Sequence, residues 1–115
     1  MSLKAAKQLY TKKKNSLNRI IEQIQAFLAD LSVGAERLEE VRGGLRNAWE
    51  AFHAAYDGLV EIQLEDDTQA ADKQERDEEQ GNFEVRVLGL QSELTGVIVQ
   101  RKGNVETTPS AGEGS

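Results

Sequence analysis

Leu38-Glu39-Glu40-Val41-Arg42-Gly43-Gly44-Leu45-Arg46-Asn47-Ala48-Trp49-Glu50-Ala51-Phe52-His53-Ala54-Ala55-Tyr56-Asp57-Gly58-Leu59-Val60-Glu61-Ile62 is the stretch that decides the fold. Leu38, Leu45, Phe52 and Leu59 recur every seven residues, Val41, Ala48, Ala55 and Ile62 fill the complementary position, and Trp49 and Tyr56 flank them. Such spacing keeps one apolar stripe on one side of an α-helix and suits packing against another helix. The spacing predicts a helix over 35–63. Gly43-Gly44 interrupts it at a cost of about 1 kcal/mol per glycine relative to alanine, which leaves either a tolerated weakness or a point of close helix approach.

Upstream, Tyr10, Leu17, Ile24 and Leu31 again fall seven apart, with Ile20 and Phe27 between them and Ile21 and Leu28 widening the stripe. A first helix is therefore expected over 3–31, roughly 43 Å long at 1.5 Å per residue. Between the two seams, Asp30-Leu31-Ser32-Val33-Gly34 breaks the period, and Ser32 is the natural N-cap for the second helix. Downstream, the like charges of Glu65-Asp66-Asp67 mark a loop, with Asp67 or Thr68 available to cap the next helix. A third helix, 69–100, starts with a very polar run before Phe83, Val87, Leu90, Leu94 and Val97 restore helical spacing. Gly81, Gly89, Gly96 and the β-branched run Val97-Ile98-Val99 weaken it. Residues 102–115 are small and polar and read as a disordered tail. The resulting expectation is an all-α domain over 1–101: an antiparallel hairpin of two long helices completed by a weaker third helix.

Charge is unevenly distributed. Residues 1–31 sum to +4, 32–64 to −3, 65–84 to −7 and the remainder to zero, within a chain of net charge −6. A basic head and an acidic middle can attract each other within one chain or between copies, or recruit a partner of opposite sign. Lys4, Lys7, Lys12, Lys13, Lys14 and Arg19 make the head a candidate for contact with nucleic-acid phosphates or an anionic surface. Tyr10 is the sole aromatic residue among them, so base stacking is not supported.

The composition also narrows the chemistry. With no cysteine, the chain has no disulfide, thiolate metal site or cysteine nucleophile. His53 is the one histidine, stands without a serine or second histidine in a nucleophile setting, and reads as a boundary residue of the second helix. Glu39, Glu40, Glu50, Asp57 and Glu61 fall on outer helix positions, where water keeps carboxyl groups ordinary. The acidic run from Glu65 to Glu79 lacks the glycine and alternating oxygens of a calcium loop. No cofactor or metal ligand set is expected. Neither a bilayer-length apolar run nor a leader h-region is present, so a cytoplasmic or nuclear protein is the default expectation.

Four features together resemble the N-terminal helical region of BEL/Pao-type retrotransposon Gag-like polyproteins. They are a basic opening helix with Leu17-Asn18-Arg19-Ile20 and then Phe27-Leu28; Arg37-Leu38-Glu39 followed by Leu45, Trp49 and Phe52; an acidic connector; and a charged helix with Glu75-Arg76 and Phe83-Glu84. The similarity covers about residues 7–95. It departs where Val85-Arg86-Val87 stands in place of an aromatic pair. The resemblance implies a truncated or domesticated Gag-like piece that assembles and associates with nucleic acid, without catalysis. From the residues alone, the expected interaction seam is Leu17, Ile20, Ile24, Phe27, Leu45, Trp49, Phe52, Tyr56 and Leu59, serving intramolecular packing or self-association equally well. The expected partner is a second copy or another helical protein, with RNA or an anionic surface on the basic head as the alternative.

Overall fold

The computed structural model describes residues 1–114, with side chains as far as Gly103. Three α-helices follow one another: α1 (Leu3–Ala29), α2 (Ala35–Gln63) and α3 (Ala70–Gly114), the last entered through a one-turn 3-10 helix (Asp67–Gln69). No strand occurs among the described residues. The protein is an all-α helical bundle, 67 × 19 × 19 Å. At 1.5 Å per residue, the 45 residues of α3 account for that whole length.

Each end is set by local chemistry. The Ser2 hydroxyl accepts the Ala5 amide at 3.1 Å and caps α1. The helix then stops two residues short of the expected boundary. Asp30 Oδ1 accepts both the backbone amide (2.9 Å) and the hydroxyl (2.6 Å) of Ser32, which folds the chain into a turn and leaves Leu31 89% exposed instead of in the seam. Ser32 is thereby engaged by Asp30, and the N-cap of α2 is Gly34, with no side-chain cap. In the second connection Asp66, not Asp67 or Thr68, is the cap, accepting from the Thr68 amide (3.0 Å) and hydroxyl (2.6 Å). α2 has the bounds its seam predicts. α3 passes through Gly81, Gly89, Gly96 and Val97-Ile98-Val99 without a break, because Ile98 is buried and anchors the β-branched run. The expected disordered tail, 102–115, falls almost wholly outside the residues described with side chains.

The helices run up, down and up. Phe52 meets Phe83 and Arg42 meets Thr95, so α3 is antiparallel to α2. Tyr10 meets Glu79 and Arg101 meets the Asp30 carbonyl, so α3 is parallel to α1. One continuous core joins Tyr10, Leu17, Ile21 and Ile24 to Leu38, Leu45, Phe52 and Leu59 and to Phe83, Val87, Leu90, Leu94 and Ile98. Burying each large apolar side chain contributes roughly 1.5–3 kcal/mol. α1 and α2 come close at Gly44, where an added Cβ would stand 2.7 Å from Ile20 Cδ1. Gly43 faces open space, so of the glycine pair only Gly44 serves the approach.

Candidate interaction surfaces

Seam residues converge on one another within a single chain. Leu17, Ile24, Leu45, Phe52 and Leu59 are fully buried, and Ile20, Phe27, Trp49 and Tyr56 pack half-buried against the same core. Phe52 is the hub, its ring centroid 4.9 Å from Tyr10, 5.2 Å from Phe83 and 6.1 Å from Trp49. On the solvent side of that hub His53 stacks between Trp49 (5.7 Å) and Tyr56 (5.9 Å) and shares a 2.8 Å hydrogen bond with Gln80. It is the boundary residue its position predicts.

The six basic head residues divide into two sets. Lys7 reaches Asp72 (3.9 Å) and Lys14 reaches Glu79 (3.1 Å), so these two tie the head to the acidic start of α3. Lys4, Lys12, Lys13 and Arg19 form no ion pair among the described residues, and Lys4, Lys12 and Arg19 are exposed. Lys4, Lys7 and Lys12 edge a shallow surface groove that Leu3, Thr11 and Asn15 also line.

The polar start of α3 packs against α1 and α2 as a part-buried layer. Tyr10 donates its hydroxyl to Glu79 Oε1 (2.6 Å), and the Arg76 guanidinium covers the Tyr10 ring at 5.1 Å. Tyr56 donates to Asp77, which also accepts Lys73 Nζ at 2.8 Å, and the buried Gln63 donates to Asp72. Burial, reinforced by the Glu79 carboxylate, pushes the Tyr10 hydroxyl far above its ordinary value, and burial together with the Asp77 carboxylate brings Tyr56 up to about 12. Burial acts to raise Glu79, but the hydrogen bonds from Tyr10 and Lys14 outweigh it and hold the carboxyl below the usual glutamate range. Lys73 and Tyr56 lower Asp77 in the same way.

These are structural pairings. The carboxylates weighed for acid–base work lie apart from this layer on outer helix positions, where Glu39 meets Lys102, Glu40 meets Arg37 (3.1 Å), Glu50 meets Arg46 (3.4 Å), Asp57 meets His53 (3.7 Å) and Glu61 is exposed. Among the described residues no group of three or more acidic or histidine side chains is placed to hold a metal, and no helix is long and apolar enough to cross a membrane.

One surface escaped the sequence reading. On α3, Val85 (73% exposed), Leu88 (57%) and Val99 (64%) stand out in water on the side away from the core. Their periodicity was masked by the stronger buried set Phe83, Val87, Leu90 and Leu94, although the intervals 85–88 and 92–96–99 carry a second helical repeat. Beside Leu88 a groove of about 700 Å³ separates α2 from α3, lined by Arg42, Arg46, Trp49, Glu50, Gln91 and Thr95. Its walls carry charge of both signs. Comparison of the chain with family models, curated proteins and solved structures finds no match.

Proposed function

We propose that the chain is a non-enzymatic assembly module, a rigid helical rod that associates with other copies of itself. The observation that carries this reading is the exposed apolar face of α3, since Val85, Leu88 and Val99 occupy outward positions that a solitary bundle would fill with charge. The heptad seam on α1 and α2 builds the rod, and association falls to α3. Assembly without chemistry is also what the resemblance to Gag-like N-terminal regions implies.

A second reading, in which the basic head docks on RNA or an anionic surface, draws on Lys4, Lys12 and Arg19, which lie exposed and without ion pairs among the described residues. Light scattering coupled to size exclusion, over about a hundredfold range of concentration and at two salt concentrations, tests the assembly reading. A mass rising above 12.7 kDa with concentration supports it, and a constant 12.7 kDa rejects it. Binding of RNA or anionic vesicles that weakens with salt and disappears when Lys12 and Lys13 become glutamate would support the second reading.

A further inference from the structure

The outward side of α3 carries Gly81, Val85, Leu88, Ser92, Gly96 and Val99, spaced by four, three, four, four and three residues. All six are exposed, and the stripe lies across the helix from Phe83, Val87, Leu90, Leu94 and Ile98. No charged residue falls on it, in a chain of which 30% is charged. Its glycines have no role inside the bundle. A Cβ at Gly81, Gly89 or Gly96 would meet nothing within 4 Å, and none has the positive φ that requires glycine. Each weakens the helix by about 1 kcal/mol relative to alanine. What glycine supplies there is a depression in the helix surface.

The spacing of the stripe is symmetric about Ser92. Val85 stands seven residues before it and Val99 seven after; Leu88 stands four before and Gly96 four after. Two such helices laid antiparallel with their Ser92 residues together bring Val85 of each opposite Val99 of the other. They also set the protruding Leu88 into the depression at Gly96. On the flanks Asn82 comes within two residues of Gln100, and Glu93 of each copy comes within two residues of Glu93 of the other, a like-charge contact that weakens the pair. A parallel pair would instead oppose Leu88 to Leu88 and Gly96 to Gly96, leaving the depression at Gly96 unfilled. Any segment laid antiparallel on its own copy pairs reciprocally; particular to this stripe is that the protruding Leu88 meets a glycine and Val85 meets Val99.

Resting on the assembly reading, we infer that α3 pairs with α3 of a second copy, antiparallel, about a twofold axis at Ser92 with Leu88 packed over Gly96. From Gly81 to Val99 the stripe is about 27 Å long, and at about 10 Å wide it offers roughly 270 Å² per copy. A standard stable interface needs about 800 Å² per partner, so the pair is weak and dissociable, of micromolar affinity or poorer.

Because the chain contains no cysteine, single thiols report the geometry directly. Under mild oxidation Ser92→Cys links to itself at least about tenfold faster than Val85→Cys or Val99→Cys alone, because residues seven from the axis lie about 21 Å from their own copies along it. A mixture of Val85→Cys and Val99→Cys restores linking. Leu88→Glu, with helicity unchanged by circular dichroism, returns the mass to 12.7 kDa at concentrations where the parent is dimeric. Equal self-linking at 85, 92 and 99, or a dimer that survives Leu88→Glu, overturns this pairing while assembly stands. A parent chain that keeps the monomer mass up to about 1 mM overturns both.

Discussion

Replacing Tyr10 with phenylalanine removes one oxygen from the part-buried layer between α1 and α3, and the geometry sets its cost. The Tyr10 side chain is fully buried, and its hydroxyl gives Glu79 Oε1 a hydrogen bond at 2.6 Å. Without it that oxygen keeps only the Arg76 contact at 3.5 Å, while Lys14 holds the other oxygen at 3.1 Å. A hydrogen bond to a charged group contributes about 1.5–3 kcal/mol, so Tyr10→Phe should destabilise the bundle by about 2 kcal/mol. In urea, with a slope of about 2 kcal/mol per molar, the midpoint followed by circular dichroism drops by about 1 M.

The pH profile carries a second signature of the same bond. Glu79 is held below its unfolded value, so its contribution is complete above about pH 4.3 and is lost as pH falls through the folded value. Tyr10 is held above its unfolded value, so its contribution is complete below about pH 10 and is lost as pH rises further. In Tyr10→Phe, Glu79 loses a donor and its folded value moves back toward the unfolded one, so the stability lost to acid shrinks, and the alkaline loss shrinks to that of Tyr56. A variant within about 0.5 kcal/mol of the parent, with an unchanged acid limb, would refute the reasoning, because a bond so placed must contribute more than that.

Phe52→Ala opens a cavity between Tyr10, Trp49 and Phe83 and should cost about 3–5 kcal/mol in denaturant unfolding. Gly43→Ala should raise stability by about 0.5–1 kcal/mol, since the new methyl meets nothing, whereas Gly44→Ala must displace the Ile20 methyl and should bring no net gain. The difference between the two is readable by thermal melts. Arg101 donates to the carbonyls of Asp30 and Val33, so Arg101→Ala should speed amide exchange in the 30–34 turn while lowering global stability by only about 1 kcal/mol.

Heptad spacing was sufficient for the bounds of α2 but not for the end of α1, where Leu31 continues the period and yet lies in the turn. The polar start of α3 is also where that reasoning fell short. Arg76 and Gln80 continue the 83–87–90–94 spacing backwards, but a search for apolar periodicity passes over them because they bury by pairing instead of by transfer from water. The opposite charges of 1–31 and 65–84 did announce an attraction, which Lys7–Asp72 and Lys14–Glu79 make within the chain. The turn at 30–34 was legible, but the role of Ser32 was not, since both Asp30 and Ser32 favour caps and only geometry decides which one accepts. A seam likewise states that a helix packs without stating against which copy, and the outer stripe of α3 was hidden because small residues contribute little to a hydrophobic count.

The part-buried polar layer has one further consequence, for uniqueness. Heptad-patterned helices tolerate sliding by one repeat, because most of the Leu and Val positions then find another apolar residue in their place. If α3 slid by seven residues, Leu90 would occupy the position of Phe83 and Leu94 that of Val87, at modest cost. The polar positions have no such degeneracy. Arg86 would arrive where Glu79 accepts from Tyr10, and Val87 where Gln80 bonds His53. Tyr10, Tyr56, Gln63 and His53 thus act as an index mark that admits a single alignment of an otherwise repetitive helix.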